Sequence, residues 1–141
     1  MFSKTCKYGI RAVLFLAVNT DKNKKIGVIE IAERLEVPRH FLGKVLQVLK
    51  KEGLISSIKG PGGGFYLSKE NRKANIEDIV ECLDGPSLLN ACVLGLPNCS
   101  DENPCPLHFQ AYACRHGLQY QLRHQSIDEL ARKIRREEIR I

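Results

Sequence analysis

The chain has 141 residues, 43% of them apolar, with six cysteines and a formal net charge of +6. That length fits one ordinary domain, or a compact head with an appendage, and the apolar share suffices for a real core, which excludes disordered and fibrous classes. Residues 1–80 carry fifteen Lys/Arg against eight Asp/Glu and residues 81–141 seven against eight, so the first half is the candidate polyanion binder.

In chain order, the first predicted helix covers about Lys4 to Thr20. Its run Ala12 to Val18, preceded by Lys4, Lys7 and Arg11, superficially copies the start of an export signal. Seven apolar residues cannot span a bilayer, no small-x-small cleavage site follows, and Ile10, Val13, Leu14, Ala17 and Val18 form one helical stripe. A cytoplasmic location with no membrane partner is therefore expected, and a reducing compartment makes the cysteines poor material for disulfides.

A second helix is predicted at about Val28 to Leu35, with Ile31, Ala32 and Leu35 inward. After "EVPRH", a third runs to about Glu52, with Pro38 suited to its first position and Gly53 to its left-handed stop. Its inward residues are Phe41, Leu42, Val45, Leu46 and Leu49, and its outer face carries Arg39, His40, Gly43, Lys44, Gln47 and Lys51. Two helices joined by so short a turn read as a helix-turn-helix, and these outward residue types reach phosphates and base edges.

"LISSIKGPGGGFYLS" alternates apolar and polar on both sides of a glycine-rich turn, so Leu54 to Ile58 and Phe65 to Leu67 should pair as a hairpin with Lys59 at the base of the bend. A nucleotide loop is the rival reading, but no Gly-Lys-Ser/Thr closes it and no helix starts there. Helix-turn-helix plus hairpin is the winged-helix arrangement. The expected DNA contacts are Arg39, His40, Lys44 and Gln47 from the helix, with Lys59 and Gly60 from the wing.

Asn75 can cap a short helix from about Ile76 to Leu83, stopped by Gly85 and Pro86. A long helix should open near Pro106, where Leu107, Ala111, Cys114, Leu118 and Leu122 form a stripe suited to a partner helix, here the same helix of a second subunit. Such a homodimer would read a pseudo-palindromic site on double-stranded DNA. The competing explanation is that the stripe packs back on the first helix. Ser126 and Glu129 look like a capping box for a last helix ending in a charged tail.

Between these elements lies "ACVLGLPNCSDENPCPLH", residues 91–108. Cys92, Cys99 and Cys105 are separated by six and five residues in a loop with Gly95, Pro97 and Pro104, and His108 follows three residues after Cys105. Such a loop can fold around an ion or cluster, with the four side chains as a Cys₃His set. A zinc ion or an iron–sulfur cluster would accept it, and spacing alone does not choose. No Lys or Arg lies between Lys73 and Arg115 to activate a thiol from nearby in sequence, and no catalytic constellation accompanies it. The chain is therefore not expected to be an enzyme or to take a small-molecule substrate. Cys82 and Cys114 are read as small core residues.

"KYGIRAVLFLA", "IAERLEVPRHFLGKVLQVLKKEGLISSIKGPGGGFYL" and the cysteine trio ending in Cys-Pro-Leu-His resemble the winged-helix bacterial regulators that include IscR, NsrR, RirA and CymR, over residues 1 to about 125. The resemblance implies a mainly α fold with a small β-hairpin: a winged helix-turn-helix head over residues 1–84, a cysteine-rich cluster loop over 85–105, and a dimerisation helix and C-terminal helix over 106–141. It also implies a homodimeric transcription factor whose iron–sulfur cluster reports iron–sulfur supply, nitric oxide or redox state. The match carries the cluster ligands onto Cys92, Cys99 and Cys105, with His108 as the fourth ligand of the IscR branch and a two-iron cluster preferred over a four-iron one. The NsrR-like alternative, a carboxylate from the partner's first helix, is disfavoured by Lys7-Tyr8 here. The first cysteine gap is one residue longer than in the IscR branch, Gly43 stands where that branch has an acidic side chain, and Lys59 replaces the usual wing arginine, so a target sequence is not inherited. The alternatives are a regulator of the same fold with structural zinc or no metal, controlled by a protein partner, and, more remotely, an iron–sulfur carrier or enzyme.

Overall fold

The computed structural model describes residues 1–141. Six helices and one two-stranded antiparallel hairpin follow in the order α1 (Lys4–Asn19), α2 (Val28–Leu35), α3 (Arg39–Lys51), β1 (Ser56–Ile58), β2 (Gly64–Tyr66), α4 (Ile76–Asp84), α5 (His108–Arg123) and α6 (Ile127–Arg135), with a 3₁₀ turn at Asn71–Lys73. This is the mainly α winged-helix fold that the sequence predicts.

Helix ends are set by local chemistry. The Ser3 side chain accepts the Cys6 N–H at the start of α1. At its other end, Arg72 donates to the carbonyls of Ala17 and Thr20, both at 2.7 Å, and Arg135 donates to Ala17 at 2.8 Å. Two guanidinium groups thus occupy carbonyls that the last helical turn leaves without partners. The predicted capping box of Ser126 and Glu129 forms on α6, and the predicted cap Asn75 on α4 is completed as a second box by Asp78. Pro38 is the cap of α3 rather than its first residue, and Glu36 ends α2 in the left-handed conformation.

The hairpin register pairs Ser56 with Tyr66, Ser57 with Phe65 and Ile58 with Gly64, a shorter ladder than predicted. Ile26, from the loop before α2, bridges Phe65 through two backbone bonds of 3.0 and 2.8 Å. That pairing brings the Ile26 backbone so close to Gly64 that a Cβ there would lie 2.8 Å from it. Gly60, at φ 90°, turns the wing tip. Buried Asn71 anchors the wing's base: its Oδ1 accepts from Ser56 and the Ser68 N–H, and its Nδ2 donates to the Gly53 carbonyl at 2.8 Å.

One core joins the inward faces of α1, α2, α3 and α4 with Phe65 and Leu67 of the wing and with Ile127 and Ala131 of α6. The last helix, grouped in sequence with the dimerisation segment, therefore packs on α1 and helps close the head. Helix α5 lies across α4. Its predicted stripe is consequently divided: Leu118 and Leu122 pack against the core, whereas Leu107 and Cys114 are exposed. Cys114 is thus not the core residue that its place in the stripe implied, while Cys6, which the sequence left unassigned, is fully buried. No helix is long and apolar enough to cross a membrane.

Candidate functional site

The stretch between α4 and α5 has no regular secondary structure, yet it converges. The thiol sulfurs of Cys92, Cys99 and Cys105 all lie within 4.8 Å of one another, with 3.7 Å between Cys92 and Cys105. The short turn Cys105–Leu107 opens α5 and brings His108 into its first turn, where Nδ1 lies 3.1 Å from the Cys99 sulfur. The three predicted thiol ligands are thus brought together, and the fourth predicted ligand, His108, stands beside one of them. Arg115, about two turns beyond His108 on α5, donates to the Ala91 carbonyl and pins the loop's entrance to the helix.

Backbone N–H groups take the place of the absent cation. They point at the Cys92 sulfur from Leu96 and Leu94 and, with the neighbouring thiols of Cys99 and Cys105, pull its pKa down to about 7. For Cys99, the Cys105 N–H at 3.4 Å pulls downward, but burial and the Cys92 and Cys105 thiols outweigh it and leave the group above its ordinary value. The metal-free triad therefore presents one readily ionised thiol, Cys92, beside Cys99, whose pKa lies above its ordinary value; thiols taking up a cation release protons in exchange. Three soft sulfur donors and one imidazole fit zinc or an iron–sulfur cluster, and equally exclude the hard oxygen-ligand ions calcium and magnesium. The remaining cysteines lie outside the triad. Burial, then Asp84, pushes the Cys6 thiol up to about 12, and burial, then Glu52, raises that of Cys82.

The predicted nucleic-acid face is open. Arg39, His40, Lys44 and Gln47 lie exposed on α3, and Lys59 and Gly60 are exposed at the bend of the wing. None of these side chains is held by a carboxylate within the chain. Opposite that face, Leu42, Val45, Leu46 and Leu49 are buried, which fixes the helix's orientation. Lys44→Ala should lower the slope of log affinity against log salt by about one unit if its ammonium meets a phosphate. Titrations of labelled DNA at several salt concentrations measure it, and an unchanged slope removes Lys44 from that role.

Sequence reasoning missed three participants. Asp101 accepts from or is paired with His108 Nε2 at 2.8 Å. Glu77 of α4, only 5% exposed, is gripped by Arg123 and Gln119 of α5 at 2.6 to 2.9 Å. Arg115 closes the loop. Each pairing spans loop or chain separations that carry no periodic signal; only the aspartate, seven residues before the histidine, was near enough in sequence to be considered.

A winged helix-turn-helix with an unencumbered basic recognition helix defines a DNA-binding transcriptional regulator, here one with a thiol triad beside its long helix. Residues 2–133 match the model of the Rrf2 family, described as iron-dependent transcriptional regulators, and the chain belongs to that family. An HTH-type transcriptional regulator of Aquifex aeolicus is 41% identical over 110 residues, which span 77% of this chain and 75% of that protein. IscR of Escherichia coli is 28% identical over 102 residues, covering 72% of this chain and 62% of IscR. Among solved structures, CymR, the global cysteine regulator of Bacillus subtilis, superposes with a TM-score of 0.75 at 23% identity, over 93% of this chain and 95% of its own. IscR of T. potens gives 0.75 at 20% identity, over 100% and 93%. At these identities the two structures speak for the fold alone.

Proposed function

We propose that the chain is a homodimeric, cytoplasmic transcription regulator that senses iron–sulfur status, nitric oxide or redox state through a cluster, a two-iron one, held by Cys92, Cys99, Cys105 and His108. The observation that carries the reading is the convergence of three thiols on one point at the base of α5, with the His108 imidazole against one of them, Cys99. The family's description as iron-dependent and the likeness to IscR support iron–sulfur over zinc. Bound there, the cluster supplies redox and ligand-exchange chemistry that reactive oxygen and nitrogen species can reach.

The chain's own residues relay the state of the loop. Occupied ligands tie residues 92–105 to the first turn of α5, which Arg115 also grips at Ala91. At the far end of the same helix, Arg123 and Gln119 hold Glu77 of α4, and α4 packs on the recognition helix α3. In this division of labour residues 1–84 read a pseudo-palindromic site, with α6 completing their core, residues 85–105 hold the cluster, and α5 pairs the protomers. The exposed apolar side chains Val93, Leu94, Leu96, Leu107, Phe109 and Tyr112 at the head of α5 support pairing there.

A coupling of about 1 to 3 kcal/mol between ligand occupancy and DNA affinity corresponds to roughly 5- to 150-fold regulation. DNA selected from a random duplex pool, titrated with anaerobic loaded and stripped protein, should show a difference in that range. Equal affinities would remove the sensing role. A monomer by sedimentation in both states would remove the dimer.

A further inference from the structure

The ligand set leaves one carboxylate without an assigned task. Asp101 sits in a tight turn closed by two backbone bonds between Ser100 and Asn103, at 3.2 and 3.1 Å, and Asn103 Nδ2 ties the turn to the Asn98 carbonyl at 3.2 Å. The turn carries the Asp101 carboxylate to 2.8 Å from Nε2 of His108. The His108 side chain is 9% exposed, the residue's backbone N–H donates to the Cys105 carbonyl at 3.0 Å, and Phe109 stands edge-on to the ring at 5.1 Å.

The two ring nitrogens therefore face different chemistry. An ionised carboxylate accepts hydrogen bonds and donates none, so the proton shared at 2.8 Å belongs to Nε2. With Nε2 donating to Asp101, the lone pair available to a metal lies on Nδ1, the nitrogen that faces the Cys99 sulfur at 3.1 Å. Which nitrogen can bind a metal is set by the bond that the other one makes.

We propose that Asp101 is a positioning residue for the centre: it fixes His108 as the Nε2–H tautomer and makes Nδ1 the ligating atom. The metal-binding half of this inference rests on the reading of the four ligands given above; the tautomer is a property of the chain without any metal. The exposed turn makes Asp101 a contact that can be removed without disturbing the core, since its side chain is 80% exposed.

Two measurements test it. Nitrogen-15 NMR of the metal-free protein, read at a pH where the His108 ring carries a single proton, should show that proton on Nε2 and a bare Nδ1. A ring protonated at Nδ1 overturns the proposal whatever the metal content. In the loaded protein, Asp101→Ala should release iron to a chelator about tenfold faster than the parent, the lower end for losing the hydrogen-bond partner of a ligating histidine. Asp101→Asn keeps an acceptor oxygen and should restore most of the retention. In a His108→Cys background, where the ligand has no tautomer, Asp101→Ala should change nothing. Equal release from parent and Asp101→Ala, or an Asp101 effect that persists with Cys at position 108, contradicts the proposal. Should the parent take up no iron and sulfide, the cluster reading fails visibly, and the same comparison of release rates is made with bound zinc.

Discussion

Arg123→Ala destabilises the chain more than Glu77→Ala, although the two side chains form one pair. Glu77 is buried on α4 and accepts from Arg123 Nε at 2.6 Å, from Arg123 Nη2 at 2.9 Å and from Gln119 at 2.7 Å, while the Arg123 side chain is 55% exposed. Removing the arginine leaves a buried carboxylate with a single neutral partner. Stranding a buried carboxylate is the costly way to break a pair, and because water reaches the arginine's side the penalty falls below that of a fully buried pair. Removing the glutamate instead returns Arg123 to water and strands no charge, for about 1 kcal/mol. Urea denaturation at pH 7 of both variants measures the order, and a costlier Glu77→Ala would contradict the account.

The same pair has a pH signature. Hydrogen bonds from Arg123, then from Gln119, together with the Arg123 charge, hold the Glu77 carboxyl below its ordinary value of 4.5 against the opposing effect of burial. A depressed folded-state pKa contributes stability that is complete above the unfolded value and is lost as pH falls through the lower folded one. The gap between parent and Arg123→Ala should therefore be widest near neutrality and narrow below about pH 4.5. Since the pair is also the link from α5 to α4, Arg123→Ala should shrink the difference in DNA affinity between loaded and stripped protein.

If Cys99 is a ligand of the proposed cluster, Cys99→Ser abolishes cluster binding while sparing the head. Its sulfur is the member of the triad that meets both His108 Nδ1 and the Cys105 N–H, at 3.1 and 3.4 Å. Serine's hydroxyl neither ionises near neutrality nor matches thiolate as a soft donor. The variant should lose visible absorption and retain at least about tenfold less iron, while DNA affinity in the stripped state stays within about twofold of the parent. The latter follows because Cys99 lies outside the core that orients α3. Cys114→Ser, at an exposed position, should change neither quantity. A Cys99→Ser protein that kept the parent's colour and iron would remove Cys99 from the ligand set.

The helices were legible because their signals are local. Stripes in α1, α2 and α3 and the caps at Asn75 and Ser126 are written within a few residues, and the glycine run marked the wing. The cysteine spacing likewise announced a convergent loop, because thiols in a Pro/Gly-containing segment have no helix to separate them. What stayed hidden depends on distant pairing. Ile26 joins the wing across 39 residues, with nothing in its own loop to announce a strand partner. The stripe on α5 reads as one seam until α4 is in place to bury Leu118 and Leu122 and leave Leu107 and Cys114 outside. Glu77 looked like an ordinary charge in the first turn of α4; its burial follows from Arg123, 46 residues further on. Backbone N–H groups lower the Cys92 pKa without leaving any trace in side-chain identity.

The most direct test of the central claim is made on protein purified without oxygen: an absorption spectrum together with iron, acid-labile sulfide and zinc per chain. The account predicts visible absorption with iron and sulfide in equal amounts, about two of each per chain, and no stoichiometric zinc. A colourless protein with one zinc per chain that takes up no iron on reconstitution would contradict it, and would make the loop a structural clasp.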